Sequence, residues 1–210
     1  MSTEAHWESV HGKRDPTLQG WYTPCPQPSV DWIRFLGLAP DERILDVGGG
    51  ASTLVDHLLS AGQERISVMD LSMQALDQAK ARLGPAADQV EWQHGDILKA
   101  RIGASTVSVW HDRAVFHFLH APSEREAYRA QAKLAVRPGG WLILGSFRPG
   151  APDKCSGLPV RKHTLEELSD FFADGFRLER TAETIHVTPG GIEQAYVFLL
   201  MKRQRDGSDT

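Results

Sequence analysis

Three consecutive glycines, Gly48, Gly49 and Gly50, follow the apolar run of residues 44–47, and a carboxylate, Asp70, ends a second apolar run. Glycine lets the backbone turn sharply and admits a ligand with no Cβ in the way. Leu54, Val55, Leu58 and Leu59 then give a helical period, so the stretch reads as strand, tight turn and helix. The helix is expected to present free N–H groups to a ligand. A nucleotide-like cofactor binds such a layout at the carboxyl end of the first strand, and an acidic side chain about 20 residues beyond the turn accepts bonds from ribose hydroxyls. The other role open to Asp70 is a solvated cap on the helix that starts near Ser72.

A second constellation is Trp110-His111-Asp112-Arg113-Ala114-Val115-Phe116-His117, at the end of another apolar run. A charged Asp112-Arg113 pair after a buried strand is costly unless paired or functional. It reads either as a salt bridge within the loop or as a polar patch facing reacting atoms. His111 is the candidate general base, because a neutral imidazole accepts a proton near pH 7. His111, His117 and His120 match no standard zinc spacing and are read as packing or hydrogen-bonded residues, so no metal is expected. Cys25 and Cys155 read as two free thiols, or functionally as a thiol near the substrate.

The elements that must position these residues alternate. Strands are expected at 43–47, 65–70, 89–94, 106–111 and 141–147, with helices at 51–61, 72–83 and 123–136, the last opening with a Ser123-to-Glu126 capping box. This alternation implies a parallel, doubly wound sheet. A helix at 164–172, capped by Thr164 and Glu167, precedes strands at 176–187 and 194–201 joined by a Thr-Pro-Gly-Gly turn, which must be antiparallel. The fold class is therefore α/β: a Rossmann-like, seven-stranded, mostly parallel sheet with a C-terminal antiparallel hairpin and helices on both faces. Residues 1–28 form an N-terminal arm, mobile at its start, anchored by Trp7, Trp21 and Tyr22, and irregular through its prolines. Ser29 is the expected N-cap of a helix over 30–38. One domain spans 1–202, followed by a polar tail, 203–210.

The chain has 210 residues, 23 basic against 27 acidic, net charge -4 and 41% hydrophobic residues. No general basic field for nucleic acid is present. No apolar run reaches membrane-spanning length, and the polar start has no signal region, so a cytoplasmic protein is expected.

Ile-Leu-Asp-Val-Gly-Gly-Gly at 44–50 resembles the first motif of class I S-adenosylmethionine-dependent methyltransferases. Met69-Asp70-Leu71-Ser72 resembles their second motif, Gln93-His94-Gly95-Asp96-Ile97 their third, and residues 107–112 their fourth. The resemblance runs from about residue 7 to residue 202. It implies S-adenosyl-L-methionine as cofactor, S-adenosyl-L-homocysteine as product, and cofactor contacts from Asp46, Gly48, Gly49, Gly50, Thr53, Asp70, Leu71, Asp96, Ile97 and His111. It also implies that the arm folds over the cofactor as a lid.

The stretch from Trp110 is similar to the Trp-Asp-Arg-Gly-Ala segment of thiopurine methyltransferases and their thiol and halide relatives, with His111 inserted and Ala114 in place of glycine. Residues 150–160 resemble the substrate loop of that group. These likenesses imply Arg113, His111 and Asp112 as catalytic residues and Trp21, Tyr22, His117 and Leu158 as substrate contacts. The expected reaction is in-line methyl transfer to a small-molecule nucleophile, a thiol or other soft nucleophile. A protein-lysine methyltransferase and a non-catalytic cofactor-binding subunit are the alternatives, and a protein substrate stays open. A nicotinamide dehydrogenase is disfavoured by Thr53 and the terminal hairpin.

Overall fold

A computed structural model describes residues 3–13 and 15–205. In chain order the elements are α1 (Thr3–Lys13), α2 (Ser29–Leu36), β1 (Ile44–Val47), α3 (Leu54–Ser60), β2 (Ile66–Asp70), α4 (Met73–Leu83), β3 (Val90–His94), β4 (Val107–Arg113), α5 (Pro122–Ala135) and β5 (Val136–Phe147). A small hairpin, β6 (Lys154–Cys155) and β7 (Leu158–Pro159), precedes α6 (Leu165–Phe172), β8 (Phe176–Val187) and β9 (Glu193–Arg203).

The main sheet has seven strands in the order β3-β2-β1-β4-β5-β9-β8. Strands β3 through β5 pair in parallel; β9 then inserts antiparallel between β5 and β8. β1 is buried at every position, as a central parallel strand with both faces covered must be. One core layer joins β1, β2 and β5 to α2, α3 and α4; the other joins β4, β5 and β9 to α5 and α6. This is the expected fold class. Because the order reverses beside β1 and β4, loops leaving their carboxyl ends diverge and open a crevice there.

Several local expectations are corrected. The start of the chain carries an unforeseen helix, α1, in which an otherwise polar sequence is held by tertiary contacts. Helix α3 begins at Leu54 rather than at residue 51, because the glycine turn continues through Ser52, whose Oγ accepts from Leu54 N. Ser29 is not an N-cap: Pro28 takes that position and the Ser29 hydroxyl turns inward. Helix α5 starts at Pro122, where Glu124, not Glu126, accepts from the Ala121 N–H. The Thr164–Glu167 box on α6 forms in both directions. β4 runs two residues further than expected, through Asp112 and Arg113, and β5 starts at Val136, its Pro-Gly-Gly segment absorbed by a register shift against β4. Of the expected tail, Arg203 belongs to β9 and is buried, while 206–210 lie outside the described residues. Among the described residues no helix is long and apolar enough to cross a membrane.

Candidate cofactor and acceptor site

The crevice at the β1 and β4 ends is a cavity lined by Asp46, Gly48, Gly49, Asp70, Leu71, Asp96 and Ile97. Gly48 takes φ +66 and its N–H donates to Met69 O at 2.7 Å, so the turn folds back on β2. A Cβ on Gly48 would overlap Val115 Cγ2, and one on Gly49 would overlap Asp46 Oδ2. The glycines are thus required by close approach as well as by conformation. Gly50 does not line the cavity; a Cβ there would stand 2.6 Å from Asp70 Oδ2. Thr53 faces away from it and donates to Thr23 O at 2.9 Å, tying the arm to the turn.

Two buried acids face this turn. Asp70 Oδ1 accepts from Ser72 N at 2.8 Å. Burial, opposed by backbone hydrogen bonds and reinforced by the nearby Asp46 and Glu8 carboxylates, pushes its pKa up to about 7. Asp46, at 2% exposure, meets His111 Nδ1 through Oδ1 at 2.7 Å, while its Oδ2 is buried without a partner. The parallel register places Asp46 directly beside His111. Asp96 accepts from Leu98 N and pairs with Lys99 at 3.3 Å, leaving it at the cavity rim.

The same cavity is also lined by Trp7, His11, Trp21, Arg113, Phe118 and Cys155. Arg113 donates to Trp21 O at 2.9 Å and lies 5.1 Å from the Tyr196 ring centroid. Among the described residues it has no carboxylate in ion-pair range, so of the two readings of Asp112-Arg113 the loop salt bridge does not form. Asp112 is fully buried beneath the cavity, its oxygens accepting from Val115 N, Phe116 N and the Tyr128 hydroxyl. Fully buried, bonded to three donors of the fold and absent from the cavity lining, it is not placed to touch a substrate. Burial raises its pKa to about 6, against the lowering pull of those donors.

His111 also departs from expectation. Nδ1 faces Asp46 and Nε2 meets Ser29 Oγ at 2.8 Å, so neither ring nitrogen is left to take a substrate proton. His117 is fully buried against Phe118 and Phe147, and does not line the cavity; burial drives its pKa down to about 3, with His163, Arg113 and His120 acting in the same direction. His120 donates to Pro159 O, so the three histidines point to different partners. Tyr22 and Leu158 also lie off the cavity; Trp21 and, from the β6–β7 hairpin, Cys155 line it instead. Both cysteines are free, and burial pushes the Cys155 thiol up to about 11.

Helix α1 closes the top. Thr3, Trp7 and His11 repeat every four residues and face the cavity. Glu8 Oε1 accepts from Met73 N at 2.5 Å, Gln78 donates to His11 O at 2.7 Å, and His6 donates to Ser156 O at 3.0 Å. The helix is therefore latched to α4 on one flank and to the β6–β7 hairpin on the other. Trp7 packs edge-on against Phe118 at 5.2 Å and His11 lies 5.6 Å from Trp21, which extends an aromatic wall over the cavity. The sequence places Trp7 in packing and leaves a cysteine near the substrate open, which Cys155 meets by lining the cavity, but it does not reveal α1 or His11; the four-residue spacing of Thr3, Trp7 and His11 was the available signal.

Residues 44–140 match a family model described as a methyltransferase domain. The chain is 30% identical over 125 residues to the ubiquinone/menaquinone biosynthesis C-methyltransferase UbiE of Roseobacter denitrificans, covering 56% of this chain and 46% of that protein, about half of its length. It is 24% identical over 183 residues to the EEF1A lysine methyltransferase 2 of Danio rerio, covering 84% of this chain and 72% of that protein. A solved structure concerned with conversion of a disulfide bond into a thioacetal group during echinomycin biosynthesis superposes with TM-score 0.77 at 20% identity, over 98% of this chain and 94% of that one. None of these likenesses carries the expected kinship with thiopurine methyltransferases. What they and the sheet order jointly establish is a Rossmann-like methyltransferase fold whose segment 44–140 has the sequence of a methyltransferase domain.

Proposed function

We propose that the protein is an S-adenosylmethionine-dependent methyltransferase acting on a small molecule whose nucleophile is soft and anionic, a thiolate above all. The single observation that carries this reading is the mixed charge of one cavity lining: the carboxylates Asp46, Asp70 and Asp96 share it with Arg113, which has no carboxylate in ion-pair range among the described residues. The residues present fit the cofactor, since Gly48 and Gly49 line the cavity with bare backbone and Asp46 Oδ2 is an orphaned acceptor beside them. Asp70 and Asp96 would hold the nucleoside, with Leu71 and Ile97 against its base, and Asp46 the amino-acid end. When bound, the cofactor supplies a methyl group on a sulfonium, open to direct displacement.

The chain's own residues orient, neutralise and exclude water. Arg113, fixed by Trp21 O, favours the ionised form of an acceptor: a free thiol has a pKa of about 8.5, and a neighbouring cation lowers it. The proton leaves to solvent, since His111 is fully engaged. Helix α1 and the aromatic wall cover part of the cavity and reduce its contact with water, which strengthens the electrostatic contacts inside while leaving a route to solvent for the proton. The structural neighbour concerned with conversion of a disulfide bond into a thioacetal group is in keeping with sulfur chemistry.

A lysine acceptor is the second reading, favoured by the EEF1A lysine methyltransferase relative. Arg113 speaks against it, because a guanidinium repels an ammonium and offers no acceptor. Incubation with labelled S-adenosylmethionine and separate pools of thiols, phenols, amines and whole-cell protein tests the choice; label confined to amines or protein would remove the thiol reading.

A further inference from the structure

Asp46, His111 and Ser29 form an unbroken hydrogen-bonded chain through the interior. Asp46 ends β1, His111 lies beside it on β4, and Ser29 opens α2, so residues 65 and 82 positions apart in sequence meet at 2.7 and 2.8 Å. Exposure is 2%, 2% and 0%, which leaves no room for water to replace any link. A carboxylate only accepts, so Nδ1 carries the ring hydrogen and the Ser29 hydroxyl supplies Nε2. The serine and the histidine are thereby fully used. Asp46 is not: its Oδ2 is buried, unpartnered, and so close to Gly49 that a Cβ there would overlap it. Folds pair their buried polar atoms. A carboxylate pinned through one oxygen with the other bare at a ligand cradle is arranged for something that arrives later.

The arriving group should be a cation. Asp70 looks at the same turn, and the two carboxylates raise the negative potential there. An ammonium supplies three donors and relieves that repulsion.

We propose that Ser29 and His111 are positioning residues that hold Asp46 so that its free oxygen receives the α-ammonium of the methyl donor. The inference rests on the reading that the donor occupies the glycine turn. Ser29 does not line the cavity and acts only through His111. Since it opens α2 directly after the proline-rich arm, the chain also ties the end of the arm to the donor site.

Two ligands separate this role from mere support of the fold. S-adenosylhomocysteine carries the amino-acid end; 5′-methylthioadenosine keeps the nucleoside and sulfur but lacks it. By calorimetry, Ser29→Ala should weaken S-adenosylhomocysteine about tenfold while shifting methylthioadenosine by less than about twofold, the scale of one hydrogen bond to a charged group. His111→Leu should show the same split, and His111→Asn, whose amide keeps a donor towards Asp46, should recover most of it. Equal losses for both ligands, or no loss for either, would overturn the proposal. A wild-type protein that binds neither ligand would instead remove the donor reading on which it stands.

Discussion

Asp70 is the residue whose charge state most directly reports the donor site. Its pKa stands at about 7 in the free protein because it is buried among other acids. Hydroxyl donors from a bound nucleoside favour the ionised carboxylate, so binding at pH 6 must release its proton. Affinity for S-adenosylhomocysteine is expected to rise from pH 6 to pH 8 and level off above it; in Asp70→Asn the profile should be flat and the affinity at pH 8 lower by about 1.5–3 kcal/mol. Calorimetry in buffers of different ionisation enthalpy reads both the affinity and the released proton. Arg113 makes a complementary prediction. Arg113→Ala should lower turnover with a thiol strongly, leave S-adenosylhomocysteine affinity within about twofold, and lose less at high pH, where the thiol ionises unaided. At this scale the glycine turn, Asp46 and Asp70 could be read from sequence, because their chemistry is local. The duties of His111 and Asp112 could not: Ser29 and Tyr128 reach them only through the fold.

Among the elements, α1 decides how closed the site is. Its latches run from side chains of α1 and α4 to backbone groups, and its cavity face is Thr3, Trp7 and His11. A helix that excludes water in this way must open for ligand exchange. Amides of 5–12 should therefore exchange more slowly once S-adenosylhomocysteine is bound, and Glu8→Ala, which frees the Met73 N–H, should weaken that protection. Equal exchange with and without ligand would make α1 passive packing. The strands were legible because each central one is a short apolar run between breakers. The arm helix was not, since its residues are mostly polar and the stripe of Thr3, Trp7 and His11 has meaning only against the cavity. The two extra residues of β4 were hidden by their charges, which the strand tolerates because Tyr128 and two backbone amides satisfy Asp112, and Trp21 O receives Arg113.

For the whole molecule, the polar knot beneath the site links function to stability. The Tyr128 hydroxyl donates to Asp112 at 2.5 Å and accepts from Trp110 Nε1 at 2.8 Å, so β4 and α5 are joined through a buried, dry contact. Tyr128→Phe strands the indole N–H and should cost about 1–3 kcal/mol in urea unfolding. Asp70 and Asp112 both hold protons in the fold that the unfolded chain releases near pH 3.8. Their folded pKa values are raised, so the stability they contribute is full below pH 3.8 and lost as pH rises through about 6 and 7. Asp70→Asn should reduce that fall in the ligand-free protein. The measurement that bears most directly on the account follows methyl label from S-adenosylmethionine into parallel pools of thiols, phenols, amines, RNA and whole-cell protein, with Arg113→Ala alongside. The predicted result is label in the thiol pool, strongly reduced by Arg113→Ala at pH 7 and partly restored at pH 9. Label in amines, RNA or protein with the thiols blank, or thiol labelling indifferent to Arg113, would contradict it.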